Sequence, residues 1–165
     1  MAERIQRSYE LPCSPDELLA ALAKPEVVQG RSDADGLGTR VLKHEVSADA
    51  VRIVVSTDIP LDWLPSAVTS RLGGTPTVER MEEWMRYLEG LRSPLIFEFA
   101  GLPVTCRGNA VVSPTITGSR LDADLTIQVD VPLFGGAVER AVAPQIVTAL
   151  DAEAAFYDTL PTAGR

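Results

Sequence analysis

Leu121-Asp122-Ala123-Asp124-Leu125-Thr126-Ile127-Gln128-Val129-Asp130-Val131 alternates without a break, apolar at each odd-numbered residue and polar at each residue between. Successive side chains of a strand point to opposite faces, so this stretch is a strand with one face buried and the other wet. After Pro132-Leu133-Phe134-Gly135-Gly136 the period changes. Val138, Val142, Ile146, Ala149, Leu150, Phe156 and Leu160 stay on or near one helical face, which predicts a helix over 137–160. At 1.5 Å per residue it is about 35 Å long. Pro144 removes one hydrogen bond from its ladder and predicts a kink.

Working back from residue 121, the prolines and glycines divide the chain into readable pieces. Leu95–Ala100 places Leu95, Phe97 and Phe99 on one strand face, and Gly101-Leu102-Pro103 turns into a further strand, Val104–Ser113. Ile116-Thr117-Gly118-Ser119 then turns the chain into the strand quoted above. Upstream, Thr39–Ala48 and Val51–Asp58 read as two strands joined tightly at Asp49-Ala50. Glu3–Leu11 alternates more loosely and is also read as a strand. Ser14-Pro15-Asp16-Glu17 has the serine, proline and glutamate of a capped helix start. That helix carries Leu18, Leu19 and Leu22 and is halted or kinked at Pro25, with a short helical turn to follow in 26–36. Between Ile59 and Gly74 the alternation fails. There Pro60 and Pro65 bracket Leu61-Asp62-Trp63-Leu64, and a short helix over 66–72 ends at Gly73-Gly74.

Composition narrows the function classes. The 165 residues carry 15 basic against 23 acidic side chains, a formal charge of -8, with 45% hydrophobic and 23% charged residues. These are globular values without the basic footprint that nucleic acid or an anionic lipid surface demands. The N-terminal ten residues lack the apolar core of a signal peptide, and no stretch approaches the roughly 18 apolar residues of a membrane helix. A cytoplasmic protein is expected, with no nucleic-acid partner and no membrane insertion. Cys13 and Cys106 are too few for a disulfide framework and read as reduced, packed thiols. Together with the single His44 they lack the close-spaced pairs of a metal site. Neither Gly73-Gly74 nor Gly135-Gly136 has the pattern of a phosphate loop, so no cofactor is expected.

The segment 77–91 fits two readings. Met81, Met85 and Leu88 have helical spacing, whereas Val78, Arg80, Glu82, Trp84 and Arg86 fit one face of a strand. A resemblance decides between them. The Ser14-Pro15-Asp16-Glu17 helix start, the segment containing Arg80, Glu83 and Trp84, the stretch Val131-Pro132-Leu133-Phe134-Gly135-Gly136-Ala137-Val138-Glu139 and Glu153 resemble the START-like (SRPBCC) superfamily. More narrowly they resemble a bacterial family of unknown function within it. Trp84 matches a strand position there, so Val78–Tyr87 is assigned as strand. The resemblance implies an α+β helix-grip fold of order β-α-β6-α, with a curved antiparallel sheet around the long C-terminal helix and an apolar cavity between them. It spans residues 1–160 as one domain, with 161–165 as a frayed tail.

Site expectations follow. Trp63, Leu64 and Leu72 are candidate lids at the cavity mouth, and Met81, Met85, Phe97 and Phe99 candidate lining. Arg107, in an apolar strand, is a candidate anchor for a ligand carboxylate. Glu83 shares a strand face with Met81, Met85 and Tyr87 and is the choice for an inward carboxylate. With Tyr87 and His44 it forms the set of candidate acids and bases. The leading expectation is a carrier of a small hydrophobic molecule such as a lipid, isoprenoid or polyketide-like compound. The alternatives are a polyketide cyclase or hydratase-type enzyme, as known elsewhere in the superfamily, and a non-catalytic interaction module whose cavity is filled by its own side chains.

Overall fold

Strand β1 (Ala2–Leu11) opens the chain and is followed by helices α1 (Pro15–Leu22) and α2 (Pro25–Asp33). Strands β2 (Arg40–Val46) and β3 (Ala50–Asp58) then form a hairpin, and a 3-10 turn (Leu61–Trp63) and the four-residue helix α3 (Ser66–Thr69) lie in the connection that follows. Strands β4 (Thr77–Tyr87), β5 (Gly90–Ala100), β6 (Val104–Pro114) and β7 (Ser119–Val129) form the meander, and helix α4 (Gly135–Tyr157) closes the chain. The computed structural model describes residues 2–130 and 135–162. Val131–Phe134, part of the stretch that carried the family resemblance, and most of the expected frayed tail lie outside the described residues.

All seven strands form one antiparallel sheet in the order β1-β7-β6-β5-β4-β3-β2. This is the helix-grip arrangement, with α4 against the inner face of the sheet. Inner-face residues come from every other position of the meander: Leu121, Ala123, Leu125, Ile127 and Val129 of β7, Cys106, Ala110 and Val112 of β6, and Leu91, Leu95 and Phe97 of β5 are all buried. Val138, Val142, Ile146 and Leu150 of α4 meet them in the same core. Cys13 and Cys106 are buried, and they form no disulfide. Burial pushes the Cys106 thiol up to about 12.

Local sequence explains most element boundaries. The Ser14 hydroxyl accepts from the Glu17 amide at 3.1 Å and the Glu17 carboxylate accepts from the Ser14 amide at 2.9 Å, so α1 starts in a complete capping box. Pro25 does more than stop α1. It occupies the first turn of α2, where its missing N–H costs nothing. α2 packs on α4 at Gly30, where a Cβ would lie 2.8 Å from Phe156 Cε2.

Strand β5 starts earlier than the expected Leu95 and runs through Pro94. Pro94 has no N–H to give the ladder, and beside it the Ser93 hydroxyl accepts from the Glu83 amide at 2.9 Å and donates to the Pro94 carbonyl oxygen at 2.8 Å. At Gly108 a Cβ would sit 1.8 Å from the Asp124 carbonyl oxygen, so only glycine permits β6 and β7 to pair here. Gly108→Ala is expected to cost more than about 2 kcal/mol in urea denaturation. Gly73→Ala, with nothing within 4 Å, should stay within about 0.5 kcal/mol of wild type.

Candidate functional site

The inner face of β4 carries Arg80, Glu82 and Trp84, and all three are buried. Two apolar-facing charges on one strand need partners, because an unpaired buried charge is prohibitive. Both find them. Glu82 accepts two hydrogen bonds from Arg31 of α2, at 2.9 and 2.6 Å, in a bidentate pair whose side chains are 1% and 0% exposed. The Trp84 indole N–H also donates to Glu82, at 2.9 Å, and Arg80 reaches it at 3.4 Å. On the other side Arg31 donates to the Tyr157 hydroxyl of α4 at 3.2 Å. Arg80 pairs with Glu153 of α4 and lies over the Phe97 ring, 5.5 Å from its centroid.

This network fixes the ionisation of its members. Burial alone raises the Glu82 carboxyl, but the Arg31 and Arg80 guanidiniums outweigh it and hold Glu82 at about 2. Burial pushes the Tyr157 phenol up to about 12, although Arg31 opposes the rise. It also works against the charge of Arg31, yet Glu82 keeps that guanidinium protonated. Proton transfer at neutral pH is therefore closed to Glu82 and Tyr157, which both serve as fixed acceptors for Arg31.

A cavity opens beside the network, between α4, the end of α2 and strands β3 to β5. Its apolar walls include Val55, Ile59, Trp63, Leu64, Phe97, Phe99, Val142 and Ile146, and Arg31, Arg80 and Glu153 form its polar end. Counted out to its mouth the space is ≈ 850 Å³, and the centre of a water molecule can explore ≈ 90 Å³ of it. Arg80 and Glu153 also border a second, smaller void of ≈ 10 Å³ lined by Tyr9, Leu95, Leu121 and Leu150. The Arg80–Glu153 pair thus partitions the interior between sheet and helix.

The cavity brings together four of the expected residues, Trp63, Leu64, Phe97 and Phe99. The others lie elsewhere. Leu72 lines a separate surface cleft with Ala67, Arg71 and Leu102. Met81, Glu83, Met85 and Tyr87 belong to the opposite face of β4 from Arg80, Glu82 and Trp84, so the expected inward carboxylate is corrected from Glu83 to Glu82. Glu83 instead pairs with Arg52 at 3.4 Å on the outer face, where its side chain is 37% exposed. Met85 and Tyr87 are exposed, with Arg92 over the Tyr87 ring. A slip of one residue in parity moves every side chain of a strand to the other face, and here the methionines drew the reading to the wrong one.

Arg107 of β6 is exposed and lines a cleft on the outer face with Arg4 and Asp124. It is an outward arginine because its neighbour Cys106 is fully buried and takes the inner position. His44 Nε2 lies 2.8 Å from the Leu22 carbonyl oxygen and tethers β2 to the end of α1, away from the cavity. Sequence reasoning missed Arg31 and did not place Arg80, Glu82 or Glu153 among the site residues. The available signal was Trp84, the largest side chain of its segment, whose burial fixes Arg80 and Glu82 on the same face.

Comparison with known proteins agrees with this architecture. Residues 6–160 match the model of a family described as "Protein of unknown function (DUF2505)". An uncharacterized protein of Mycobacterium tuberculosis is 35% identical over 96 residues, 56% of this chain and 55% of that protein. The chain thus spans about half the length of the curated relatives it matches. Among solved structures, the ZhuI aromatase/cyclase of Streptomyces sp. R1128 superposes with a TM-score of 0.61 at 11% identity, over 96% of this chain and 94% of that one. The di-domain ARO/CYC StfQ of the steffimycin biosynthetic pathway gives 0.58 at 15% identity, over 96% and 51%. At such identities the likeness is one of fold.

The buried pair makes stability depend on acid. Because Glu82 titrates below its ordinary value when folded, it stabilises the protein above about 4.5, and that contribution disappears as the pH falls towards about 2. Glu82→Gln is expected to lose about 3 kcal/mol at pH 7 by urea denaturation. The gap to wild type should narrow steadily below pH 4.5, and a pH-independent gap would contradict the assignment.

Proposed function

We propose that this chain, which belongs to the DUF2505 family of proteins of unknown function, binds a small apolar molecule between its sheet and its C-terminal helix. The observation that carries the reading is the cavity itself: apolar walls from β3, β5, the 59–64 segment and α4 converge on one polar end. Ligand sites have this composition, mostly hydrophobic and aromatic with a few placed polar groups. Burial of apolar ligand surface contributes about 25 cal/mol per Å² before the costs of association. Pockets for drug-sized ligands measure roughly 300–1,000 Å³, more than the ≈ 90 Å³ open here to water centres. Binding therefore requires lining residues such as Trp63 and Leu64 to give way.

A second reading, an enzyme of aromatase/cyclase type, is supported by charged groups at the cavity end together with two structural neighbours that bear that name. Of its expected acids and bases, Glu83 and Tyr87 face away from the cavity and His44 is held on α1, so the carboxylates placed to serve it are those of the lining, Glu153, Asp35 and Asp58. Carrier and enzyme differ in turnover, and binding comes first in both.

The test is displacement of a neutral dye. N-phenyl-1-naphthylamine should brighten on binding the wild-type protein, and Ala149→Phe, which fills the cavity from α4, should abolish the signal while leaving the circular dichroism spectrum unchanged. Solvent extraction of freshly purified protein should release a discrete apolar mass that the Ala149→Phe protein lacks. Equal dye binding by the two proteins would overturn the reading.

A further inference from the structure

The charges around the cavity carry information about what it admits. Two guanidiniums, Arg31 and Arg80, border the space, and each is already balanced: Arg31 by Glu82 at 2.6 Å and Arg80 by Glu153. Glu153 is itself part of the lining, so Arg80 meets the cavity together with the carboxylate that balances it. Nearer the mouth, Asp35 and Asp58 add two further carboxylates to the lining. Asp58 is met by the exposed Arg40 at 3.4 Å, and Asp35 accepts from the Leu37 amide at 3.0 Å. Among the described residues of this cavity no guanidinium faces it without a carboxylate partner.

An apolar molecule with a carboxylate head thus meets a site whose cations are taken. One Arg80 N–H, Nε, has no hydrogen-bond partner among the described residues, but the guanidinium charge is already met by Glu153 and Glu82. A carboxylate head can therefore pair with Arg80 in place of Glu153 only by displacing it from a contact that is 10% and 16% exposed on its two sides. The displaced carboxylate would then share the cavity with Asp35 and Asp58, under the field of a chain whose formal charge is -8. Like charges brought together in a poorly solvated space are unfavourable, and breaking a buried pair leaves one member uncompensated. An uncharged ligand incurs neither cost. It lies against Phe97, Phe99, Val142 and Ile146 with the ion pairs intact.

From this we infer that Glu153 is a specificity-determining residue. By occupying Arg80 it makes the cavity select uncharged apolar molecules and reject carboxylates of the same shape. The inference rests on the binding reading above and narrows it to a ligand class. Specificity arises here through a repulsive element as much as through attraction, since Glu153 adds nothing to the hold on a neutral ligand. Neutralising it leaves Arg80 with one unbalanced positive charge at the polar end, which is the condition for accepting an anionic head.

The experiment uses an isosteric pair, 2-naphthamide and 2-naphthoate, competing for bound N-phenyl-1-naphthylamine at pH 7.5 on the wild-type chain and on Glu153→Gln. Wild type should bind the amide at least about tenfold more tightly than the carboxylate. In Glu153→Gln, naphthoate should gain about tenfold while naphthamide changes by less than about twofold. Equal affinities in wild type, or an unchanged ratio in the variant, would overturn the inference while leaving the cavity reading in place. Failure of the dye itself to bind wild type would instead overturn both. If Glu153→Gln does not fold, the wild-type ratio still decides, since a ratio near one refutes selection against carboxylates.

Discussion

One bidentate contact, Arg31 to Glu82, holds three separate elements to each other. Arg31 belongs to α2, Glu82 to the interior strand β4, and the Tyr157 hydroxyl that also accepts from Arg31 belongs to the last turn of α4. Neither charge has access to solvent, so neither can be left alone without the full cost of an unpaired ion. The contact is geometrically exacting in a way that apolar packing is not. Leucines slide over one another, whereas a planar fork meets a carboxylate in few orientations. It thereby sets how α2 and α4 sit on the curved sheet.

The shape of the interior follows from that constraint. Arg80 and Glu153 extend the ion network across the space between sheet and helix, with Phe97 beneath the Arg80 guanidinium. On one side remains a small void among Leu95, Leu121 and Leu150, and on the other the larger cavity lined by Trp63 and Leu64. The same charged residues therefore organise the helices and form the polar end of the candidate site. This overlap is why a ligand's charge matters more here than in a purely hydrocarbon pocket.

The fold was largely legible in the chain. Unbroken alternation at 121–129 gave β7 and its inward face, the Ser14 capping box gave the start of α1, and the helical spacing of Val138, Val142, Ile146 and Leu150 gave the buried stripe of α4. What escaped was the content of the interior. Hydrophobicity points to Met81 and Met85 as the inner face of β4, but the inner face is Arg80, Glu82 and Trp84, two of them charged. Only Arg31, in sequence far from β4 and in a helix with little apolar pattern, makes such a choice tolerable. Pairing over that separation leaves no periodic trace in one sequence. Leu72, Arg107 and His44 were misplaced for a related reason: each is locally plausible as lining, and its position depends on loops and strand parity that only the assembled sheet defines.

The central claim is that Arg31 and Glu82 act as one unit in positioning α2 and α4 on the sheet. A double-mutant cycle with Arg31→Met, Glu82→Met and the double variant, read by urea denaturation at pH 7, tests it directly. If the account holds, each single substitution strands a buried charge and is strongly destabilising. The double variant then recovers much of the loss, giving a coupling of about 2 kcal/mol or more. Single losses that simply add, to within about 0.5 kcal/mol, would show that the two residues contribute independently and would contradict the account.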